Sequence, residues 1–125
     1  MKQWFMLGSV FMFLGVALGA FGAHALSGYF GQFPQLEGTY ETAVRYQMFH
    51  ALGFFVVAWA SERFGSTPWP RRAGWLFLVG ILLFCSSLYL LVATQLSWLG
   101  AVAPFGGAAF LAGWAALFGA ALHTS

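Results

Sequence analysis

The sequence predicts an all-α protein, a four-transmembrane-helix bundle with both termini in the cytoplasm. Three observations predict it. The 125-residue chain is 61% hydrophobic and 6% charged, where a soluble domain is charged at about a quarter of its positions. Its apolar residues fall into runs near the roughly 20 residues that a helix needs to cross a bilayer. Gly, Pro and the few charges collect between those runs. Five basic and three acidic side chains cannot clothe a water-facing surface, so lipid must cover most of a single domain over 1–125. The net charge of +2 and pI near 9.0 come from scattered basic residues. They are no nucleic-acid footprint, but they carry topological information. Cys85 stands alone in an apolar run, which excludes an internal disulfide and fits an inert buried thiol.

The first helix is expected over about 4–26, because Trp4 to Leu26 contains no Asp, Glu, Lys or Arg. Ala23-His24-Ala25 resembles a signal-peptidase site, but the run is longer than the about 7–15 residues of a signal core, so an uncleaved span is expected. Gly15, Gly19 and Ala23 recur every four residues and would let another helix come close, within the chain or in a homo-oligomer. Ser27 to Tyr40 reads as a loop punctuated by Gly28, Gly31, Pro34 and Gly38. Its aromatic residues are expected at the interface or folded back over the helix ends. The second helix is expected over about 41–63. Its strictly apolar part, Ala51 to Ala60, is too short to span alone. Arg45, Gln47 and His50 are therefore counted into the span, facing protein rather than lipid.

A linker with Pro68 and Pro70 leads to a third helix over about 72–95, apolar apart from Cys85-Ser86-Ser87 and Tyr89. The fourth, about 104–122, opens on Pro104, which suits the first helical turn. Ala108, Ala112, Ala116 and Ala120 form a second small-residue stripe, again open to a membrane-protein partner or a second copy. Four spans put Lys2, Arg63, Arg71 and Arg72 on one side, and the positive-inside rule makes that side cytoplasmic. Trp4, Trp59, Trp69 and Trp75 would form the inner aromatic belt; Tyr29, Tyr40 and Trp98 would form the outer one. The expected location is a bacterial-type inner membrane.

Gly19-Ala20-Phe21-Gly22-Ala23-His24-Ala25-Leu26 resembles the G-A-F-G-A-H-x-L signature of domain of unknown function 423, a family of small membrane proteins related to transmembrane protein 256. Thr42-Ala43-Val44-Arg45-Tyr46-Gln47-Met48-Phe49-His50-Ala51-Leu52 resembles its second motif, and Ser87-Leu88-Tyr89-Leu90, Pro104-Phe105-Gly106-Gly107 and Gly113-Trp114 resemble its later ones. The resemblance covers nearly the whole chain. It implies a four-helix integral membrane protein and brings no activity, cofactor or catalytic residue.

Polar residues at membrane depth are the candidate site: His24, Glu41, Arg45, Tyr46, Gln47, His50, Ser86, Ser87 and Tyr89. Glu41 and Arg45 lie four apart and would pair on one helix face. Arg45 could also offer its planar fork to an anion or headgroup. Histidines invite a metal or haem reading, but depth opposes a shared ion. His24 would lie about 3 Å inside the outer end and His50 about 13 Å, at about 1.5 Å per residue. A gap of about 10 Å is too wide for one metal with bonds near 2 Å, so no metal or cofactor is expected. His50 is expected level with Ser86 and Ser87, and His24 near Arg45 or Glu41. No Asp exists, so no Ser-His-Asp triad can form; with Glu62 across the membrane, a two-carboxylate site is open only to Glu37 and Glu41 in the outer loop, and no enzyme is expected. What remains is an accessory, interaction or scaffold protein; the alternative is a small carrier, or a ligand- or proton-binding protein, with its site around Arg45 and His50.

Overall fold

The computed structural model describes residues 2–123, and every regular element among them is helical. α1 runs Lys2–His24, α2 Ser27–Gln32 and α3 Pro34–Arg63. α4, Trp69–Gly80, passes through a π-helical turn at Ile81–Cys85 into α5, Ser86–Thr94. A 3₁₀ turn at Ser97–Ala101 leads to α6, Ala103–Leu122. Among the described residues three stretches are long and apolar enough to cross a membrane: Lys2–His24, Trp69–Thr94 and Ser97–Leu122. α3 is the longest unbroken α-helix at 30 residues, about 45 Å at 1.5 Å per residue, but its polar first turns keep it out of that set.

The main correction concerns residues 27–40. The expected loop is helical: α2 is followed after Phe33 by α3, which begins at Pro34 rather than at Glu41. Pro34 lies in the first turn, where its missing N–H costs nothing. Gly38 would weaken a helix by about 1 kcal/mol relative to Ala, yet the burial of Leu36 and Tyr40 on either side offsets it. The expected folding back is visible in detail. Phe30, Leu36, Tyr40 and Val92 bury one another beside Leu18, Phe33 and Val44, and Tyr29 Oη donates to the Val92 carbonyl at 2.6 Å.

α1 lies antiparallel on α3. Its seam is Gly8, Gly15 and Gly22, all buried, spaced by seven and not by four. A Cβ on Gly8 would stand 2.9 Å from the Ala51 carbonyl oxygen, and one on Gly15 2.8 Å from Met48 Cγ. Gly22 faces the Tyr40 ring, whose hydroxyl donates to the Leu18 carbonyl. Of the expected stripe only Gly15 belongs to this seam; Gly19 is half-buried and Ala23 exposed. α6 repeats the arrangement against α4 and the π turn: Gly106 against Phe84, Phe110 against Gly80, and Gly113 against Phe77. Ala116 and Ala120 are buried with them, whereas Ala108 and Ala112 face outward. A seven-residue small-residue repeat is the signature of a left-handed seam, which explains why a four-residue stripe misplaced the contacts.

The centre is aromatic. Phe54 and Phe77 are fully buried, among Trp4, Val57, Ile81, Cys85 and Phe110. Trp4 is itself a core residue, stacked on Phe54 at 6.1 Å and seated over Gly74. It therefore leaves the expected inner belt, and buried Tyr40 leaves the outer one. Trp59, Trp75 and Trp98 are exposed.

Candidate functional site

Two polar constellations lie on α3. The first is internal. Gln47 is buried and bridges three helices. Its Nε2 donates to the Phe11 carbonyl of α1 at 2.9 Å, and its Oε1 accepts from Tyr89 Oη of α5 at 2.7 Å. One turn further on, buried His50 uses both ring nitrogens. Trp114 Nε1 of α6 donates to His50 Nε2 at 3.0 Å. An indole nitrogen only donates, so Nε2 must accept and the proton sits on Nδ1. Nδ1 then donates to the Tyr46 carbonyl at 2.8 Å. The ring is thus a neutral Nδ1–H tautomer. It lies flat on Phe110 at a centroid distance of 3.6 Å and meets Phe77 edge-to-face at a centroid distance of 5.3 Å. Among the described residues every buried side-chain nitrogen or oxygen has a hydrogen-bond partner.

This changes the expected cross-helix partner of His50, which is Trp114 on α6 and not Ser86 or Ser87. Ser87 Oγ instead donates to the Leu83 and Phe84 carbonyls of its own helix. Such back-bonding to the preceding turn is common for Ser and Thr inside helices, and Ser9, Thr42 and Thr94 do the same. Depth placed His50 and the serines at one level, but depth does not specify the direction in which a side chain points. Tyr46 lies beside the network, stacked on Phe84 at 4.8 Å and 37% exposed. A cavity of about 530 Å³ opens there between Tyr46, His50, Phe110, Leu111 and Trp114.

The second constellation faces outward. Glu37, Glu41, Arg45 and Phe49 follow one another at four-residue intervals on α3 and line a groove of about 400 Å³. Gly19, Gly22 and Ala23 of α1 form its other wall. Arg45 is exposed here and does not face the interior as expected. Among the described residues no ion pair joins Glu41 to Arg45, so both groups are presented to the groove. His24 closes α1 in an exposed position. Its carbonyl accepts from Ser27 Oγ at 3.2 Å, and its ring makes no hydrogen bond or ion pair with Arg45 or Glu41. Among the described residues no three His, Cys, Asp or Glu side chains gather into a metal-holding group.

Trp114, Phe110 and Glu37 are the site residues that sequence reasoning left out. Glu37 was discoverable, since it extends the Glu41–Arg45 spacing by one more turn once α3 begins at Pro34. Comparison with known proteins adds the following. The family described as "Protein of unknown function (DUF423)" matches residues 18–107. The chain is 45% identical over 115 residues to the UPF0382 membrane protein YwdK of Bacillus subtilis, covering 91% of each. It is 41% identical to a UPF0382 membrane protein of Staphylococcus haemolyticus over 91% of this chain and 90% of that one. A relative in Staphylococcus epidermidis is 41% identical over 118 residues, with 94% and 93% covered. No solved structure matches.

Proposed function

We propose a structural role in the bilayer, and the premise is plain: the chain belongs to the DUF423 family of membrane proteins, whose function is not known. On this reading α1, α3, α4–α5 and α6 are four spans of a multi-pass protein of a bacterial inner membrane, with both termini cytoplasmic. α3 supports it by length. Counting about 30 Å of hydrocarbon back from Arg63 reaches Ala43 and Val44. This leaves Glu37 and Glu41 outside and sets Arg45 at the edge, about 27 Å from Arg63. Lys2, Arg63, Arg71 and Arg72 fall together at the opposite end, as the positive-inside rule requires.

The protein acts as an accessory or scaffold element and not as an enzyme or carrier. The observation that carries this is that the pairs Gln47–Tyr89 and His50–Trp114 spend their hydrogen bonds within each pair and on the Phe11 and Tyr46 carbonyls. Nothing in them is aimed at a passing substrate. The outer face of α6, with Phe105, Leu111 and Phe118 each at least 70% exposed between Ala108 and Ala112, offers the partner surface. Two measurements test the reading. Vesicles holding the full chain and an internal pH dye should leak protons no faster than empty vesicles; a flux abolished by His50→Phe would overturn it. A photo-crosslinker at Leu111 in native membranes should yield a discrete protein adduct, and lipid adducts alone would refute the interaction.

A further inference from the structure

We infer that the groove between α1 and the outer half of α3 binds a zwitterionic phospholipid whose headgroup carries a phosphate and a primary ammonium, as phosphatidylethanolamine does. The inference rests on α3 crossing the membrane and goes further by naming what the Arg45 face holds. Its basis is the order of groups along one helix face. From the hydrocarbon outward the groove presents Phe49, Arg45, Glu41 and Glu37, in steps of about 6 Å. A phospholipid standing in its leaflet presents acyl chain, phosphate and ammonium in that same order. The Arg45 guanidinium is a planar fork suited to two phosphate oxygens. The two carboxylates beyond it accept from the ammonium.

The opposite wall makes the space. Gly19, Gly22 and Ala23 carry almost no side chain where α1 passes α3, and Met48 and Phe49 line the deeper part with apolar surface. About 400 Å³ accommodates a headgroup and the start of one chain, while the open side leaves the remaining lipid in the bilayer. The charge pattern also selects. A purely anionic headgroup would meet one cation and two carboxylates, and like charges in this setting repel. A trimethylated ammonium has no N–H to donate to Glu41 or Glu37.

The test uses the full chain in micelles supplied with equal phosphatidylethanolamine, phosphatidylcholine and phosphatidylglycerol, with retained lipid identified by native mass spectrometry. The wild type should hold phosphatidylethanolamine over either other lipid by about tenfold, the ratio expected where charge-assisted hydrogen bonds differ by about 1.4 kcal/mol. Glu37→Gln with Glu41→Gln should move the preference to phosphatidylglycerol. Arg45→Gln should lower retention of all three. Ala23→Trp fills the groove without touching a charge and should exclude lipid from it. Glu37, Glu41, Arg45 and Ala23 are all exposed, and an unchanged unfolding temperature verifies that each variant is folded. Retention of the three lipids in proportion to supply, or undiminished phosphatidylethanolamine on Ala23→Trp, would overturn the inference. With cysteines introduced at Gly38 and Ser66 labelled from opposite faces, either result removes this inference alone; labelling of both from one face removes its premise.

Discussion

At the scale of single residues, His50 shows how burial dictates chemistry. A ring that water cannot reach must find its partners in protein, and it finds them at opposite nitrogens in the Tyr46 carbonyl and Trp114. Nitrogen-15 NMR of the imidazole should therefore report the neutral Nδ1–H form. A signal from the Nε2–H form would contradict the Trp114 bond. The energetic share should be modest. Hydrogen bonds inside membrane bundles average about 0.6 kcal/mol with a ceiling near 1.7, so a double-mutant cycle of His50→Phe and Trp114→Phe should give a coupling in that range. That His50 would be buried and satisfied was legible from its depth in an apolar run. Its partner was not, because Trp114 lies 64 positions away and nothing local to either residue encodes the direction each faces.

At the scale of elements, the glycines decide which helices touch. Gly8 meets a backbone carbonyl, which cannot move aside, so Gly8→Ala should destabilise by about 1–3 kcal/mol, as overpacking does. Gly19 has only Val44 Cγ1 at 3.5 Å, an ordinary contact. Gly19→Ala should stabilise, by up to about 1 kcal/mol from helix propensity alone. Detergent titration of unfolding would separate the two, and equal effects would show that the seven-residue seam is not the packing face. Both small-residue stripes were visible in the sequence, yet an alternative register with four-residue spacing was equally visible in a chain with 16 glycines. The π turn at Ile81–Cys85 left no local signal, since its residues are ordinary helix formers. It is specified by what it accommodates, including Phe84 seated over Gly106 and Phe110 over Gly80. The start of α3 was missed for the opposite reason. Gly38 and Pro34 look like breakers until the burial of Leu36 and Tyr40 is known.

At the scale of the whole molecule, orientation is the prediction to test. Cys85 is buried at 1% exposure and will not react, so single introduced cysteines report cleanly. Gly38 has open space around it, and Ser66 is exposed between α3 and α4. A Cβ at neighbouring Gly65 would strike the Ser61 carbonyl, which makes Ser66 the better probe. Ser66→Cys should label from the cytoplasm and Gly38→Cys from the other side; the reverse pattern would invert the protein. The helical class was readable because composition alone forces it. The arrangement of aromatic side chains was not, because Trp4 and Trp59 carry the same interfacial preference and only packing sends one of them into the core.

The polar first half of α3 has a consequence for biosynthesis. Arg at the middle of a segment opposes its passage from the translocon into lipid by about 2.5–3.5 kcal/mol, and Arg45 retains part of that penalty near an end. The apolar stretch Ala51 to Ala60 is too short to compensate. α1 leaves the ribosome first, can partition alone, and carries both the glycine groove and the Phe11 carbonyl that Gln47 requires. On the four-span reading proposed above, α3 is expected to be released sideways as one hairpin with α1, already paired. A nascent chain in which Gly8 and Gly15 are blocked by bulky residues would stall with α3 still inside the channel, before any question of folded stability arises.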